Sequence, residues 1–230
     1  VQREMDTLPD SRQEHLKNLL LEGTALVTRK RDGEAGVAHK RGDGTVVIYS
    51  RTMARGHHRE DQLWGDRLPH IVEEISNNPH IPPGTILLGE LVKTTSEGGD
   101  DRDFVTAVLK SLTPRALALQ EEKGHLQFYI WDVAFLAGEQ LLGKVRIEDR
   151  LDEVYHFTGD SPGAFFHVMD TEVYAAFNKV GGIRLNSAEN IREVCRRQGW
   201  EGMVVCDPDD TYGDSGISLT GKPKRPGGSI

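Results

Sequence analysis

One lysine lies in a setting that suits attack on a nucleotide phosphate. Lys30 follows an apolar run and is followed at fixed spacing by Asp32 and Gly33. A lysine presented in this way at the mouth of a strand can act as a nucleophile through its amine. The pattern is short enough to arise by chance in a chain of 230 residues. The rest of the sequence must therefore supply the partners of such a reaction.

Acidic residues also lie at the edges of apolar runs further along the chain. They are Glu90 within Thr85–Val92, Asp132 at the end of an aromatic stretch that begins at Phe128, and Glu201 directly before Gly202–Cys206. A carboxylate at the edge of an apolar core must be paired, because burial of a lone charge is costly. Together with the segment around Lys30, they form four short segments that fall in order at predicted strand ends.

Hydrophobic spacing predicts the helices and strands that position these side chains. The predicted helices cover 11–22, 61–77 with Pro69 inside, 104–122 with a kink at Pro114, 147–155, and 187–198 with Ser187 as the cap. The predicted strands cover 24–28, 36–40, 45–50, 85–92, 126–135, 164–169 and 202–206. Lys30 then lies on a loop that enters a sheet, and 94–103 forms an exposed loop. Hairpins mixed with helices predict an α+β fold of antiparallel sheets.

Composition limits the class of protein. The length and a hydrophobic fraction of 37% predict one sizeable core and a single domain over 1–230. A net charge of -8 argues against binding nucleic acid by bulk electrostatics. Only two cysteines, Cys195 and Cys206, and no signal-peptide or membrane-spanning pattern predict an intracellular protein. The first residue, Val1, and the turn-like last residues suggest a fragment of a longer protein.

The ordered segments around Lys30, Glu90, Asp132 and Glu201 resemble the nucleotidyltransferase (adenylation) domain of ATP-dependent polynucleotide ligases, in the covalent nucleotidyltransferase superfamily. The resemblance extends from about Ala25 to Tyr212. Its most specific part is Tyr-Ile-Trp-Asp-Val-Ala-Phe-Leu-Ala-Gly-Glu-Gln-Leu over 129–141, followed by an arginine-containing segment at 146–150. This resemblance implies an ATP-grasp-like domain of antiparallel sheets flanked by helices.

The same resemblance implies a reaction. Lys30 attacks the α-phosphate of ATP to form lysyl-AMP, and pyrophosphate leaves. AMP then passes to the 5′-phosphate of a nicked or broken polynucleotide, with DNA favoured over RNA, and a 3′-hydroxyl displaces AMP to seal the nick. The lysine must attack as a neutral amine, and the reaction gains mainly from positioning and charge stabilisation.

The resemblance also assigns site residues. Arg51 meets ribose or phosphate, Glu90 holds the ribose hydroxyl or helps to position metal, and Trp131 and Val204 pack on the two adenine faces. Independently of the resemblance, Asp132 is expected to have a structural role, either as the cap of a turn or as the partner of a basic residue. The nucleotide-binding set is Thr28, Arg29, Lys30, Arg51, Glu90, Trp131, Val204, Lys222 and Lys224, and the Mg²⁺ ligands are Glu90 and Glu201.

Several positions depart from the ligase pattern. Thr28 replaces an acidic residue, Ala35 an arginine and Cys206 a lysine. Lys222 and Lys224 have the spacing of the final Lys-x-Lys motif, but their prolines make a poor strand. Either this segment is the motif in an unusual form, or the motif lies beyond the last residue.

Two alternatives remain open. A capping-type guanylyltransferase shares Lys-x-Asp-Gly, although such enzymes more often have Asp-Gly where this chain has Glu201-Gly202. A non-catalytic nucleotide-binding domain of the same fold is the other. The ligase resemblance further implies an OB-fold domain C-terminal to this segment, a monomer, and work in DNA repair or replication in the cytoplasm or nucleus.

Overall fold

Helices and short strands alternate along the chain. The computed structural model describes residues 3–4, 9–51, 63–158, 166–168, 171–173, 179–211 and 217–220. The helices are α1 (Asp10–Glu22), α2 (Pro69–Asn77), α3 (Arg102–Lys110), α4 (Thr113–Lys123), α5 (Ile147–Thr158) and α6 (Ala188–Gln198), with a 3-10 turn at Gly65–Arg67. The strands are β1 (Arg3–Glu4), β2 (Leu26–Lys30), β3 (Glu34–Lys40), β4 (Val46–Ser50), β5 (Thr85–Val92), β6 (Gln127–Leu136), β7 (Glu139–Gln140), β8 (Phe166–Val168), β9 (Thr171–Val173), β10 (Lys179–Val180), β11 (Ile183–Arg184), β12 (Gly202–Cys206) and β13 (Ile217–Thr220).

The chain divides into two compact units. The terminal unit comprises Val1–Arg31 and Asp170–Ile230, and the central unit is Asp32–Met169. Each contains a hydrophobic cluster of its own. The described residues thus form a larger and a smaller hydrophobic cluster, because each sheet buries one face against its own helices. The boundaries 1–230 for a single domain stay a prediction.

The sheet of the terminal unit places the end of β2 beside the start of β12. Among the described residues its strand order is β1-β13-β12-β2-β9. β2 and β12 are antiparallel, with Lys30 opposite Gly202 and Thr28 opposite Val204. Helices α1 and α6 supply buried residues to the cluster that also holds Val27, Met203 and Val205. Because strand side chains alternate, Thr28, Lys30 and Val204 lie on the face opposite this core.

The sheet of the central unit also has a face opposite its core. In the part of the chain that the structure describes, its order is β4-β3-β5-β6-β7, and β8 pairs in parallel with β6. The core face includes Leu87, Leu91, Phe128 and Ile130 together with residues of α2, α3 and α5. Alternation along β5 therefore places Glu90 on the opposite face.

Prolines account for two wrong helix boundaries. The predicted helix over 104–122 is two helices, α3 and α4, because Pro114 lies in the first turn of α4 rather than inside a continuous helix. Pro69 is likewise at the start of α2, so the helix predicted from 61 begins later. A proline is tolerated in the first helical turn, where its missing N–H has no intrahelical acceptor to lose.

The other predicted elements are confirmed, some with shifted ends. Strands β5 and β12 have the predicted bounds, and Ser187 caps α6 by accepting a hydrogen bond from the Asn190 N–H at 3.2 Å. Lys30, however, is the last residue of β2 and not part of a loop, because it pairs with Gly202. The prediction that β12 is the last clear strand is wrong, since β13 pairs with it.

The described residues include no helix that is both long and apolar enough to cross a bilayer.

A buried ion pair joins β6 to α5. Arg150 is 1% exposed, and its guanidinium donates to both carboxylate oxygens of Asp132, at 2.7 and 3.0 Å. Another nitrogen of the same group donates to the Val145 carbonyl, while Asp132 also accepts the Val133 N–H at 2.8 Å. This bidentate geometry confirms that Asp132 pairs with a basic residue.

We expect Asp132→Ala to lower the free energy of unfolding by about 3–5 kcal/mol, because Arg150 would keep a buried charge without its carboxylate. Urea denaturation of the purified chain measures this loss. The double variant Asp132→Ala, Arg150→Met should lose much less than the sum of the single variants. Strictly additive losses would contradict this role for the pair.

His70 gives the fold a pH dependence. Burial lowers its pKa to about 4, against the opposing effect of a contact between Nε2 and the Leu126 carbonyl at 3.0 Å. The unfolded chain takes up the histidine proton near its ordinary value of 6.5, before the folded chain does. The contribution of His70 to stability is therefore complete above pH 6.5 and is lost as the pH falls toward 4.

His70→Gln should flatten the loss of stability between pH 6.5 and about 4, since glutamine does not titrate. Chemical denaturation at a series of pH values measures the slope for both proteins. An unchanged slope in the variant would show that His70 is not the responsible group.

Candidate active site

An ion pair joins the two motif residues of the terminal unit. The Lys30 amine donates a hydrogen bond to the Glu201 carboxylate, and the two side chains are 25% and 16% exposed. Lys30 ends β2, and Glu201 directly precedes Gly202, the residue opposite Lys30 in β12. Strand pairing thus brings together two residues that are 171 positions apart in the sequence. The amine is partly accessible and is held by a carboxylate that can also accept a proton.

Two other predicted residues share the face of this sheet with Lys30. Thr28 and Val204 lie opposite each other in β2 and β12, and Val204 is nearly buried. Their side chains form the surface beside the amine along the strands. This placement is consistent with the predicted contact between Val204 and a flat base.

Arg29 does not place its side chain on the face that carries Lys30. Its side chain lies on the core face of β2, where the guanidinium carbon is 4.8 Å from the centre of the Trp200 ring. Strand alternation separates it from the Lys30 side chain, so its guanidinium does not lie beside the amine. The structure therefore does not support a nucleotide contact through the Arg29 side chain.

Glu90 lies next to the glycine of the Lys-x-Asp-Gly motif in the central unit. A Cβ atom placed on Gly33 would lie 3.0 Å from Glu90 Cγ and 2.0 Å from the Leu91 carbonyl oxygen. Only glycine fits so close to another backbone. Ala35 lies opposite Glu90 in β3. This is the position at which the ligase pattern has an arginine. The motif glycine and Glu90 are thus packed against each other.

Trp131 occupies an irregular position in β6. The register between β5 and β6 shifts so that Leu88 pairs with Asp132 and Gly89 with Ile130, leaving Trp131 without an opposite residue. Its half-buried ring packs against a small cluster of Val92 and Tyr129, away from the main core. A β-bulge of this kind is frequent beside functional sites.

Sequence reasoning missed the residues that hold Asp32. The Asp32 N–H donates to the Asp100 carboxylate at 3.0 Å, and Arg102 donates to the Asp32 carboxylate at 3.3 Å. Both partners belong to the segment predicted only as an exposed loop. The cluster of charged residues over 100–103 was the available signal, but it does not identify a partner.

The remaining predicted residues are less fully described. Arg51 directly follows β4 with an exposed side chain, and its N–H donates to the Ala35 carbonyl at 3.3 Å. Lys222 and Lys224 lie outside the described residues.

The described His, Cys, Asp and Glu side chains permit only a metal site with one or two protein ligands. Within the described ranges, no group of three or more His, Cys, Asp or Glu side chains could hold a metal ion. Mg²⁺ bound with a nucleotide needs only one or two carboxylates, because phosphates and waters complete its octahedron. Glu201 or Glu90 therefore fits this kind of ion, whereas an all-protein metal cage does not fit the described residues.

A family model described as the ATP dependent DNA ligase domain matches residues 9–217. The chain belongs to this family. The match includes Lys30, Glu90, Trp131 and Glu201. It supports the ligase resemblance over the capping-type alternative.

One curated relative is a DNA ligase of Haloferax volcanii, which is 26% identical over 196 residues. The aligned region covers 84% of this chain but only 30% of that protein. The chain thus spans less than a third of the length of the relative that it matches.

Solved ligase structures share the fold of this ATP-dependent DNA ligase domain. A mycobacterial DNA ligase D complexed with ATP and MES has a TM-score of 0.59 and 17% identity, over 85% of this chain and 54% of that one. The ATP-dependent DNA ligase of bacteriophage T7, in complex with ATP, has a TM-score of 0.57 and 17% identity, over 93% of this chain and 66% of that one. These similarities confirm the predicted fold of antiparallel sheets with helices.

Gly33→Ala should destabilise the ligase domain by about 3 kcal/mol or slightly more, because the new methyl group would meet a backbone carbonyl that cannot move easily. Urea denaturation measures the change. Gly42→Ala is a suitable control, since a Cβ atom there meets nothing within 4 Å. Equal stability of the two variants would contradict the close approach at Gly33.

Proposed function

We propose that this ligase domain performs self-adenylation through Lys30. The amine nitrogen attacks the α-phosphorus of ATP, a nitrogen–phosphorus bond forms, and the bond from the α-phosphorus to the bridging oxygen breaks. Pyrophosphate leaves with the electron pair of that bond. The amine gives up a proton, for which Glu201 is the hydrogen-bond acceptor that the structure places on Lys30.

The observation that carries this proposal is the ion pair between Lys30 and Glu201. It holds a partly exposed amine at the end of two paired strands, inside a chain that matches the ligase family over 9–217. Phosphoryl-type transfer depends chiefly on positioning of the nucleophile and on charge stabilisation. A nucleophile fixed by strand pairing and by a carboxylate meets the first of these needs.

We also propose roles for the other predicted residues. Thr28 and Val204 contribute the surface beside the amine, Trp131 stacks on the base, and Glu90 and Arg51 contact ribose or phosphate. Glu201 or Glu90 would hold Mg²⁺, which when bound offsets negative charge on the phosphates. Support comes from the faces opposite the hydrophobic cores of the two sheets, on which Glu90 and Val204 lie, and from the small separate cluster that holds Trp131.

The later steps are proposed at the level of the whole protein. AMP is transferred to the 5′-phosphate of nicked DNA, and a 3′-hydroxyl completes the seal. Membership of the ligase family supports DNA as the polynucleotide. We also propose an additional domain of the OB-fold type as the clamp on DNA, as the ligase resemblance implies, and the match to only 54% of the mycobacterial ligase structure is in keeping with a longer protein. We propose a monomer that works in DNA repair or replication inside the cell.

Separate incubations with ATP and GTP labelled at the α-phosphate, followed by a denaturing gel, test the adenylation step. We expect label from ATP to become covalent and label from GTP to remain at background. Lys30→Ala should reduce the covalent label to background, because no other amine replaces the nucleophile. Lys17→Ala, an exposed lysine on α1, should label as the wild type does.

Preferential labelling by GTP would instead support a capping-type guanylyltransferase. Absence of any covalent label in the wild type, together with measurable ATP binding, would support a non-catalytic nucleotide-binding domain. Equal labelling of Lys30→Ala and wild type would contradict the assignment of the nucleophile.

A further inference from the structure

A second pair of side chains lies directly behind the Lys30–Glu201 ion pair. Arg29 precedes Lys30 in the chain, and Trp200 precedes Glu201. The Arg29 guanidinium carbon is 4.8 Å from the centre of the Trp200 ring, a distance typical of a cation–π contact. Each member of the ion pair therefore has a member of the cation–π pair as its immediate neighbour in sequence.

The two pairs occupy opposite faces of the same strand ends. Arg29 lies opposite Met203, a core residue, and is 7% exposed. Trp200 is half-buried and packs against the same core. Lys30 and Glu201 meet on the other face, where the amine is accessible. A contact on the core face can therefore hold the strand ends without occupying the space in front of the amine.

Trp200 is itself fixed to the end of α6. The backbone N–H of Trp200 donates to the Cys195 carbonyl at 2.9 Å, and Gly199 ends the helix with a φ of 67°. This hydrogen bond ties the Trp200 backbone to the helix end. The position at which β12 begins, and with it the backbone of Glu201, is thus anchored to α6.

Arg29 also lies close to the end of α6. Burial raises the pKa of the Cys195 thiol to about 11, and the positive charge of Arg29 acts in the opposite direction. The carbonyl end of a helix favours a nearby cation.

We propose that Arg29 and Trp200 form a positioning pair, which fixes the Lys30 amine and the Glu201 carboxylate against each other from behind the sheet. The inference rests on the proposed adenylation and concerns how its nucleophile is held. Neither residue is a catalytic residue, because neither side chain lies on the face of the amine. Loss of the contact frees the start of β12 and lets the amine leave its attacking position.

The rate of lysyl-AMP formation in a single turnover, measured over a range of ATP concentrations, tests the proposal. Trp200→Ala and Arg29→Met should each lower the maximal rate about tenfold, because small misplacements of a nucleophile are costly. The ATP concentration at half-maximal rate should change less than about twofold, since binding contacts remain. Trp200→Phe, which keeps an aromatic ring, should recover part of the rate.

Two comparisons separate positioning from a general loss of structure. The double variant Arg29→Met, Trp200→Ala should be little slower than either single variant, because both remove the same contact. Ile191→Ala removes a buried side chain of the same core on α6 and should retain the wild-type rate below its melting temperature. An additive double variant, or equal rate losses in Trp200→Ala and Ile191→Ala, would overturn the proposal.

Chemical labelling of Lys30 gives a readout that does not depend on adenylation. Brief treatment with acetic anhydride, followed by peptide mass spectrometry, reports how firmly the amine is held. Trp200→Ala should raise Lys30 acetylation about threefold relative to Ile191→Ala, as expected for loss of a modest ion pair. Equal acetylation would overturn the positioning pair even if adenylation occurs. If the wild type forms no lysyl-AMP, the proposed function fails and this comparison alone decides the proposal.

Discussion

The pairing of β2 with β12 is the constraint on which the site residues of the terminal unit depend. It places Lys30 opposite Gly202 and so brings the amine to the Glu201 carboxylate. A lysine at a strand end has a flexible stem, and a carboxylate partner limits the positions that its amine visits. The same pairing places the Arg29 side chain on the opposite face, where its guanidinium carbon lies 4.8 Å from the centre of the Trp200 ring. One backbone register therefore sets both the reactive face and its support.

In the central unit, close packing and hydrogen bonds hold Asp32 and Gly33 in place. Gly33 approaches the backbone of β5 so closely that no side chain fits, and Asp32 is held by Asp100 and Arg102. Alternation along β6 places Trp131 on the face that also carries Tyr129, the residue opposite Glu90, and the register shift leaves Trp131 unpaired across the sheet. These arrangements are local to the unit and use backbone geometry more than charge. They explain why glycine follows the motif aspartate.

Much of this could be predicted from the sequence. The strands around Glu90 and Glu201 have strong apolar runs, so their bounds and the position of each carboxylate were predictable. The pairing of Asp132 with a basic residue followed from the cost of a lone charge at a core edge. By contrast, the face on which Arg29 lies depends on the exact strand end, and the bulge at Trp131 leaves no pattern in sequence. The contacts of Asp32 join distant segments, which local periodicity does not reveal.

The central claim is that the Lys30 amine forms a covalent bond with AMP. Intact mass spectrometry of the chain after incubation with ATP and Mg²⁺, followed by fragmentation of the modified peptide, tests it most directly. The account predicts an added mass of one AMP, located on Lys30 and released by acid, as expected for a phosphoramidate. An unchanged mass under conditions in which ATP binds, or AMP located on a different residue, would contradict the account.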